Sequence, residues 1–127
     1  MKKKILIVDD EVMIREIFRE AFEAIGFVVH EASNGKNAFS KIQEIPFDCV
    51  LSDVRMPGGD GIELARNIHS LSGPKPKVFL VTGFSDLSTQ KATEWGVIKI
   101  FDKPFNFKSI LDEIENSVRT PHVHSPG

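Results

Sequence analysis

Three aspartates, one threonine and one lysine stand at or just after the ends of apolar runs in this sequence. Asp9 and Asp10 follow the first apolar run, and Asp53 follows another. Thr82 closes a later run, and Lys103 comes shortly after the last one. Carboxylates that lie close together repel one another, so they either hold protons or require a cation. These residues predict a charged pocket if the fold brings the ends of the runs together.

The ligand types of such a pocket indicate its chemistry. Carboxylate oxygens without histidine or thiol ligands favour a hard cation, and Mg²⁺ tends to bind one or two carboxylates together with a phosphate. Lys103 adds a second positive charge, and the Thr82 hydroxyl can hydrogen-bond a transferred group. An aspartate beside two such cations is a suitable nucleophile toward phosphorus, because both stabilise charge on phosphoryl oxygens.

Each of these residues also has an ordinary explanation. Asp9 and Asp10 can cap the helix that follows them, and Asp53 can be a turn residue. Thr82 suits any strand, and Lys103 suits a solvated surface. Their joint placement at successive strand ends favours the chemical interpretation over these separate ones.

Strands and helices that alternate along the chain would position these residues. Short apolar runs predict strands at 5–8, 27–29, 47–51, 78–81 and 97–101. Segments with helical spacing separate them, and the first has apolar residues on one face: Met13, Ile14, Ile17, Phe18, Ala21, Phe22 and Ile25. Because parallel strands need crossovers, the pattern predicts an α/β fold with helices on both faces of a parallel sheet. Ligands bind outside the carboxyl ends of such strands, where the charged residues fall.

The fourth predicted helix runs from Asp86 to Trp95 and has Gly96 at its end. It contains few apolar residues, so we expect it to be weakly held to the core. The domain is predicted to cover residues 1–119. Residues 120–127 predict a flexible tail or the start of a linker, and a frayed end is favoured over a metal site at its histidines, His122 and His124.

The composition is typical of one globular domain. The chain has 127 residues, of which 41% are hydrophobic and 27% are charged, and its net charge of −2 does not indicate nucleic-acid binding. The apolar run at 5–8 is too short for a signal peptide or a membrane span, so we expect a cytoplasmic protein. The single cysteine, Cys49, lies in an apolar run and is predicted to fill the core.

The motifs around these residues resemble the CheY-like receiver domains of bacterial response regulators. The resemblance runs from about Lys3 to Val118 and is carried by five segments: Val8-Asp9-Asp10-Glu11, Asp53-Val54-Arg55-Met56-Pro57, Gly61, Val81-Thr82-Gly83 and Lys103-Pro104-Phe105. It implies a flavodoxin-like sandwich of five strand-helix units with strand order 2-1-3-4-5. It also implies a phosphoacceptor signalling function in a two-component phosphorelay.

The resemblance implies a role for each acidic residue. Asp53 is similar to the phosphoryl acceptor of the family. Asp9 and Asp10 are similar to the acidic pair that holds Mg²⁺, directly or through water, together with Asp53. The backbone carbonyl of Arg55 is implied as a further ligand, and its side chain either reaches the phosphoryl group or is solvated.

Other implied roles concern the response to phosphorylation. Thr82 is similar to the switch hydroxyl and Lys103 to the lysine that pairs with the phosphoryl group. Pro104 is expected to follow a cis peptide bond, which proline permits. Partners implied are a histidine kinase or phosphotransfer protein, and an output partner or second copy that reads the fourth helix, fifth strand and last helix. The resemblance implies neither turnover of a separate substrate nor binding to nucleic acid or membrane.

The sequence departs from the family at the switch region. Receivers usually carry an aromatic residue three positions before the lysine, where this chain has Ile100. The neighbouring Phe101 should point to the opposite face, because strand side chains alternate. Phe84 is an alternative partner for Thr82, and Gly83 stands where another small residue is common.

Three other functions remain open on the residues alone. The missing aromatic motivates a binding module that works without phosphorylation, although the complete acidic, threonine and lysine set argues against it. A Mg²⁺-dependent phosphatase would need a second carboxylate soon after its nucleophile, and Asp53 is followed by Val54-Arg55-Met56. A flavodoxin-like cofactor binder would need a phosphate-cradling loop after the first strand, where the two aspartates repel phosphate.

Overall fold

The computed structural model of the protein describes residues 2–58, 60–83 and 91–119. Its strands are β1 (Lys4–Val8), β2 (Val28–Ala32), β3 (Cys49–Asp53), β4 (Lys77–Thr82) and β5 (Val97–Asp102). Its helices are α1 (Val12–Ala24), α2 (Gly35–Glu44), α3 (Gly61–His69) and α4 (Phe107–Arg119), with a 3-10 helix at Ala92–Trp95. Strand and helix alternate as the apolar runs predict.

The five strands form one sheet in the order β2-β1-β3-β4-β5, and every neighbouring pair is parallel. This confirms the expected flavodoxin-like order. Because all strands run the same way, their carboxyl ends lie at one edge of the sheet. The register pairs Asp53 with Val81 and Thr82 with Asp102, so the ends of β3, β4 and β5 are adjacent.

The two faces of the sheet are packed with different kinds of side chain. The face under α1 and α4, called the aromatic face, contains Phe18, Phe22, Phe27, Phe79, Phe101, Phe105 and Phe107. The face under α2, α3 and the 3-10 helix, called the aliphatic face, contains the buried alanines Ala32, Ala38, Ala65 and Ala92 among leucine, valine and isoleucine, and its aromatic residues are Phe39, Phe47 and Trp95. Both clusters are continuous from the sheet to the helices that cover it.

The predicted core face of the first helix is too broad. Phe18 and Phe22 are buried, but Met13 is 72% exposed and Ile17 is 43% exposed. Met13 directly precedes the half-buried Ile14 and Ile17 directly precedes the buried Phe18, and one residue of an α-helix is a rotation of about 100°. A helix on a flat sheet therefore turns Met13 and Ile17 away from the core.

In the described part of the fourth predicted helix, Lys91 has helical backbone angles and Ala92–Trp95 form a 3-10 turn. Only Ala92 is buried in it, in keeping with its few apolar residues. Gly96 ends the turn with φ of +82°, the left-handed conformation that glycine adopts most readily. Phe84 and Asp86 lie in 84–90, outside the described residues, as does the tail at 120–127 with its two histidines.

Two further features bear on the sequence predictions. Cys49 is fully buried in β3, as expected, and burial raises the pKa of its thiol. Within residues 2–58, 60–83 and 91–119, no helix combines the length and apolarity needed to cross a membrane.

Candidate functional site

The ends of β1 and β3 bring three aspartates together. Each of Asp9, Asp10 and Asp53 offers a carboxylate oxygen, and these oxygens lie within 4.8 Å of one another. Asp9 is 6% exposed and Asp53 is 8% exposed, whereas Asp10 is exposed. The convergence predicted from the strand ends is present, and it mixes two buried carboxylates with one that reaches solvent.

The direction of the two buried carboxylates follows from the strands that carry them. Asp9 lies two residues beyond Ile7, and Asp53 lies two residues beyond Leu51. Ile7 and Leu51 are both buried on the aromatic face, and strand side chains return to the same face every second residue. All four residues line one cavity of about 290 Å³, with Phe18 in its wall. Asp9 and Asp53 therefore lie at the polar end of a largely apolar cavity.

Lys103 brings a positive charge to this pocket. Its Nζ lies 3.5 Å from Oδ2 of Asp53, and its side chain is 39% exposed. The Lys103 amide donates to the Thr82 carbonyl at 2.8 Å, so the loop after β5 is bonded to the end of β4. The peptide bond between Lys103 and Pro104 is cis, which confirms that expectation.

Thr82 and Ile100 belong to the other face of the sheet. Thr82 is 1% exposed and lies two residues beyond Leu80, which is buried in the aliphatic cluster and pairs with Ile100 across β4 and β5. Ile100 is half-buried against that cluster. Phe101 packs in the aromatic cluster, with its ring centroid 6.4 Å from that of Phe79. The prediction that Ile100 and Phe101 point to opposite faces is confirmed.

Hydrogen bonds hold the acidic loop after β1 in place. The Asp9 amide donates to the Ala32 carbonyl at 3.1 Å, and Oδ1 of Asp9 accepts from the Glu11 amide at 2.8 Å. The Asp9 carbonyl accepts from Nη1 of Arg15 at 2.6 Å. Glu11 is the N-cap of α1, and its side chain makes no capping hydrogen bond. The sequence does not predict Arg15 as a site residue, because nothing in its apolar surroundings marks it as a partner of the loop.

The charge of the pocket is visible in the pKa of Asp9. Burial raises this pKa from 3.8 to about 6, the hydrogen bond from the Glu11 amide opposes the rise, and the nearby charge of Asp53 adds to it. Lys103 lowers it in turn. A buried carboxylate that resists ionisation is stabilised by a cation, and the donor set consists of oxygens. The residues present therefore fit a hard divalent cation such as Mg²⁺.

The backbone of Asp53 is fixed by close contact with the start of α3. A Cβ atom on Gly61 would lie 2.4 Å from the Asp53 carbonyl oxygen, so only glycine allows this approach without a shift. The Gly61 amide donates to the Val54 carbonyl at 2.8 Å, and Oγ of Ser52 donates to the Asp53 carbonyl at 2.8 Å. Gly61 therefore belongs to the motif because of steric fit rather than chemistry.

The remaining predicted residues are placed as follows. Arg55 lies in the exposed loop between β3 and α3, two residues beyond Asp53, and Met56 beside it is buried. Gly83 directly follows β4, and among the described residues an added Cβ would meet the Lys103 side chain at 3.6 Å. The suggested role of Phe84 falls outside the described residues.

The fold and the pocket together define a class of protein. In this class a parallel sheet carries, at its carboxyl edge and beside a lysine, an acidic pocket that fits a divalent cation. The family described as response regulator receiver domain matches residues 5–115. The response regulator receiver protein CpdR of Brucella abortus is 34% identical over 114 residues, covering 89% of this chain and 94% of that protein. Sporulation initiation phosphotransferase F of Bacillus subtilis is 34% identical over 120 residues, covering 94% and 93%.

A solved structure agrees with these relatives. The CheY-like receiver domain protein from Methanospirillum hungatei matches with a TM-score of 0.87 and 29% identity, covering 94% of this chain and 95% of that one. The chain belongs to the response regulator receiver family. It is a CheY-like receiver domain, a phosphoacceptor signalling module of two-component systems.

Proposed function

We propose that Asp53 is the phosphoryl acceptor of this receiver. The observation that carries the proposal is its position, with its carboxylate grouped with those of Asp9 and Asp10 and 3.5 Å from Nζ of Lys103. The three carboxylates and the backbone carbonyl of Arg55 would hold Mg²⁺. When bound, Mg²⁺ would supply positive charge for the phosphoryl oxygens.

The transfer itself is a substitution at phosphorus. A carboxylate oxygen of Asp53 forms a bond to phosphorus while the bond from phosphorus to the imidazole nitrogen of a phosphohistidine breaks, and the imidazole leaves with the electron pair. Lys103 offsets the negative charge on the phosphoryl oxygens through its ammonium group. Asp9 shapes the pocket beside the acceptor. The domain assists its own phosphorylation and dephosphorylation, and turns over no separate substrate.

The phosphoryl group on Asp53 would interact more favourably with one of two states of the domain and so shift their populations. It adds a charge of about −1.5 to −2. The Thr82 hydroxyl would turn toward it, and Gly83, Phe84 and Ile100 would adjust with Phe101 held on the other face. The strand β5, the turn before it and α4 form the surface that an output partner or a second copy would read.

An exposed apolar patch on α1 supports docking of the phosphoryl donor next to the pocket. Val12, Met13 and Ile17 are 55%, 72% and 43% exposed, and they directly follow the acidic loop. Exposed apolar patches mark sites of protein contact. The donor would be a histidine kinase or a histidine phosphotransfer protein.

The setting of the domain is proposed on the same grounds. Residues 1–119 form the receiver, and the tail or linker expected at 120–127 lies outside the described residues. The domain works in the cytoplasm and binds neither nucleic acid nor membrane.

The test is a mass measurement after incubation with Mg²⁺ and acetyl phosphate. We expect the protein to gain one base-labile phosphoryl group, and the Asp53→Asn variant to gain none. An Asp102→Asn variant is the matched control, because Asp102 is an exposed aspartate at the end of β5; we expect it to be phosphorylated. Absence of the gain in a protein that binds Mg²⁺ would favour a module that works without phosphorylation, which the aliphatic Ile100 motivates.

A further inference from the structure

A network of two arginines and two glutamates joins α1 to β2 beside the acidic loop. Nε of Arg15 lies 2.9 Å from Oε1 of Glu31, and Nε of Arg19 bonds the other oxygen of the same carboxylate. Nη1 of Arg19 lies 3.1 Å from Oε2 of Glu23. Arg15 makes a further bond that reaches the site, because its Nη1 donates to the Asp9 carbonyl at 2.6 Å.

The Asp9 carbonyl lies on the backbone between the side chains of Asp9 and Asp10. It belongs to the planar peptide that joins Asp9 to Asp10, so fixing the oxygen fixes the orientation of that whole peptide. On the other side of Asp9, its amide donates to the Ala32 carbonyl at the end of β2. The residue is therefore held on both sides to the end of one strand, directly through Ala32 and through Arg15 by way of Glu31.

The geometry of this link requires arginine. A guanidinium presents several N–H donors in a rigid plane, so one group can bond the Glu31 carboxylate and the Asp9 carbonyl together. The Arg15 side chain is 15% exposed and that of Glu31 is 24% exposed, which protects the pair from much of the solvent screening that weakens surface pairs. Burial alone would raise the pKa of Glu31, but the hydrogen bonds from Arg19 and Arg15 outweigh it and lower the pKa, which favours the charged carboxylate.

We infer that Arg15 is a positioning residue of the cation site, which acts by holding the peptide between Asp9 and Asp10 in place through Glu31. The inference rests on the proposed Mg²⁺ site. Arg15 touches neither the cation nor the phosphoryl group in this role. It sets where the two carboxylates stand before either arrives.

The direction in which the Mg²⁺ affinity changes when Arg15 is replaced separates positioning from simple electrostatics. A nearby positive charge repels Mg²⁺, so removing the charge of Arg15 alone would strengthen Mg²⁺ binding. Loss of positioning would weaken it, because the carboxylates would no longer be held in one arrangement. A merely structural role would lower the thermal stability and leave the affinity unchanged.

The experiment is a titration of the whole chain with MgCl₂, followed by amide chemical shifts, for the wild type and three variants. We expect Arg15→Gln to bind Mg²⁺ about tenfold more weakly, as outer partners of metal ligands do when removed. Arg15→Lys keeps the charge without the planar fork, and we expect it to be weakened in the same direction. Arg19→Gln is the matched control: it removes an equal charge and a Glu31 bond, and we expect an affinity close to the wild type.

Each outcome decides one question. Unchanged or tighter binding in Arg15→Gln, or equal weakening in Arg19→Gln, overturns the positioning role. If Arg15→Gln does not fold, wild-type affinity in Arg15→Lys overturns it. If the wild type itself shows no Mg²⁺ binding, the proposed cation site fails, and the positioning role falls with it.

Discussion

The two faces of the sheet differ in the side chains that fill them, and each supplies a different part of the site. Asp9, Asp53 and Lys103 continue the strand faces that lead to phenylalanines, whereas Thr82 and Ile100 continue the face packed with alanine and aliphatic residues. Asp9, Asp53 and Lys103 thus stand on the aromatic face, and the Thr82 hydroxyl stands on the aliphatic one. A group transferred to Asp53 would interact with both.

The two faces of the sheet also differ in how their side chains pack. Phe18 stacks on Phe105 with a centroid distance of 5.8 Å and contacts the tilted ring of Phe107 at 4.8 Å, so α1 is joined to the chain that follows Lys103. Large rings with two side-chain torsions give rigid contact surfaces. The aliphatic face has four buried alanines and a half-buried Trp95. One sheet therefore carries Asp9 and Asp53 on the face with most of the phenylalanines and Thr82 on the other face.

The largest expected effect comes from breaking the aromatic face. Phe18→Ala removes a buried ring, and we expect it to lower the free energy of unfolding by about 3–5 kcal/mol and to slow phosphorylation by acetyl phosphate. Ile68→Ala on the aliphatic face is the matched deletion, since Ile68 is 2% exposed. It should cost about 2–5 kcal/mol in urea unfolding, with the phosphorylation rate retained. Equal slowing in both variants would contradict the division of roles between the faces.

A second prediction concerns how the raised pKa of Asp9, a buried carboxylate on the aromatic face, makes stability depend on pH. In the metal-free protein the pKa of Asp9 is raised from 3.8 to about 6, first by burial. A raised acid pKa stabilises the fold below 3.8, and this contribution is lost as the pH rises through about 6. Its size is roughly 2 kcal/mol, because each tenfold change in the acid dissociation constant corresponds to about 1.4 kcal/mol and solvent screening reduces the total.

The measurement for Asp9 is urea unfolding of the metal-free protein from pH 4 to pH 7, beside Asp9→Asn. The difference between the two proteins isolates Asp9 from other titrating groups such as Glu31, whose lowered pKa acts in the opposite direction. We expect the wild type to lose stability relative to the variant over this range. Parallel curves would show that burial of Asp9 does not perturb its titration.

The smallest effect is expected in the fluorescence of Trp95, in the turn before β5. Trp95 is the single tryptophan, is half-buried against the aliphatic cluster and lies under the Arg66 guanidinium at 5.8 Å, so its fluorescence reports on that face. We expect phosphorylation to change its emission in the wild type. Thr82→Val removes one hydroxyl, about 1 kcal/mol of hydrogen bonding, and should abolish this change while the mass gain persists. A full emission change in Thr82→Val would remove Thr82 from the switch.

Much of the fold could be predicted because parallel strands are buried on both faces. Such strands give continuous apolar runs, and the run before Asp9 is a clear example. The place of the site followed from the rule that polar residues at carboxyl ends of neighbouring strands converge. That rule needs only strand order, so it placed Asp53 and Lys103 correctly without knowledge of any side-chain contact.

The rest depends on contacts between distant parts of the chain. Arg15 and Glu31 are 16 residues apart, and no spacing rule pairs a helix residue with a residue of the following strand. The exposure of Met13 and Ile17 depends on how α1 is rotated on the sheet, which the helical period alone does not fix.

The buried position of Cys49 has a practical consequence for spectroscopy. Alkylating reagents attack the thiolate, and this side chain is fully covered and its thiol pKa is raised, so the native chain should take up no maleimide label while folded. Because Cys49 is the single cysteine, a cysteine introduced at exposed Ile98 on β5 would then be the sole point of attachment for a spin label or a dye. The wild-type background already serves as its own thiol-silent reference.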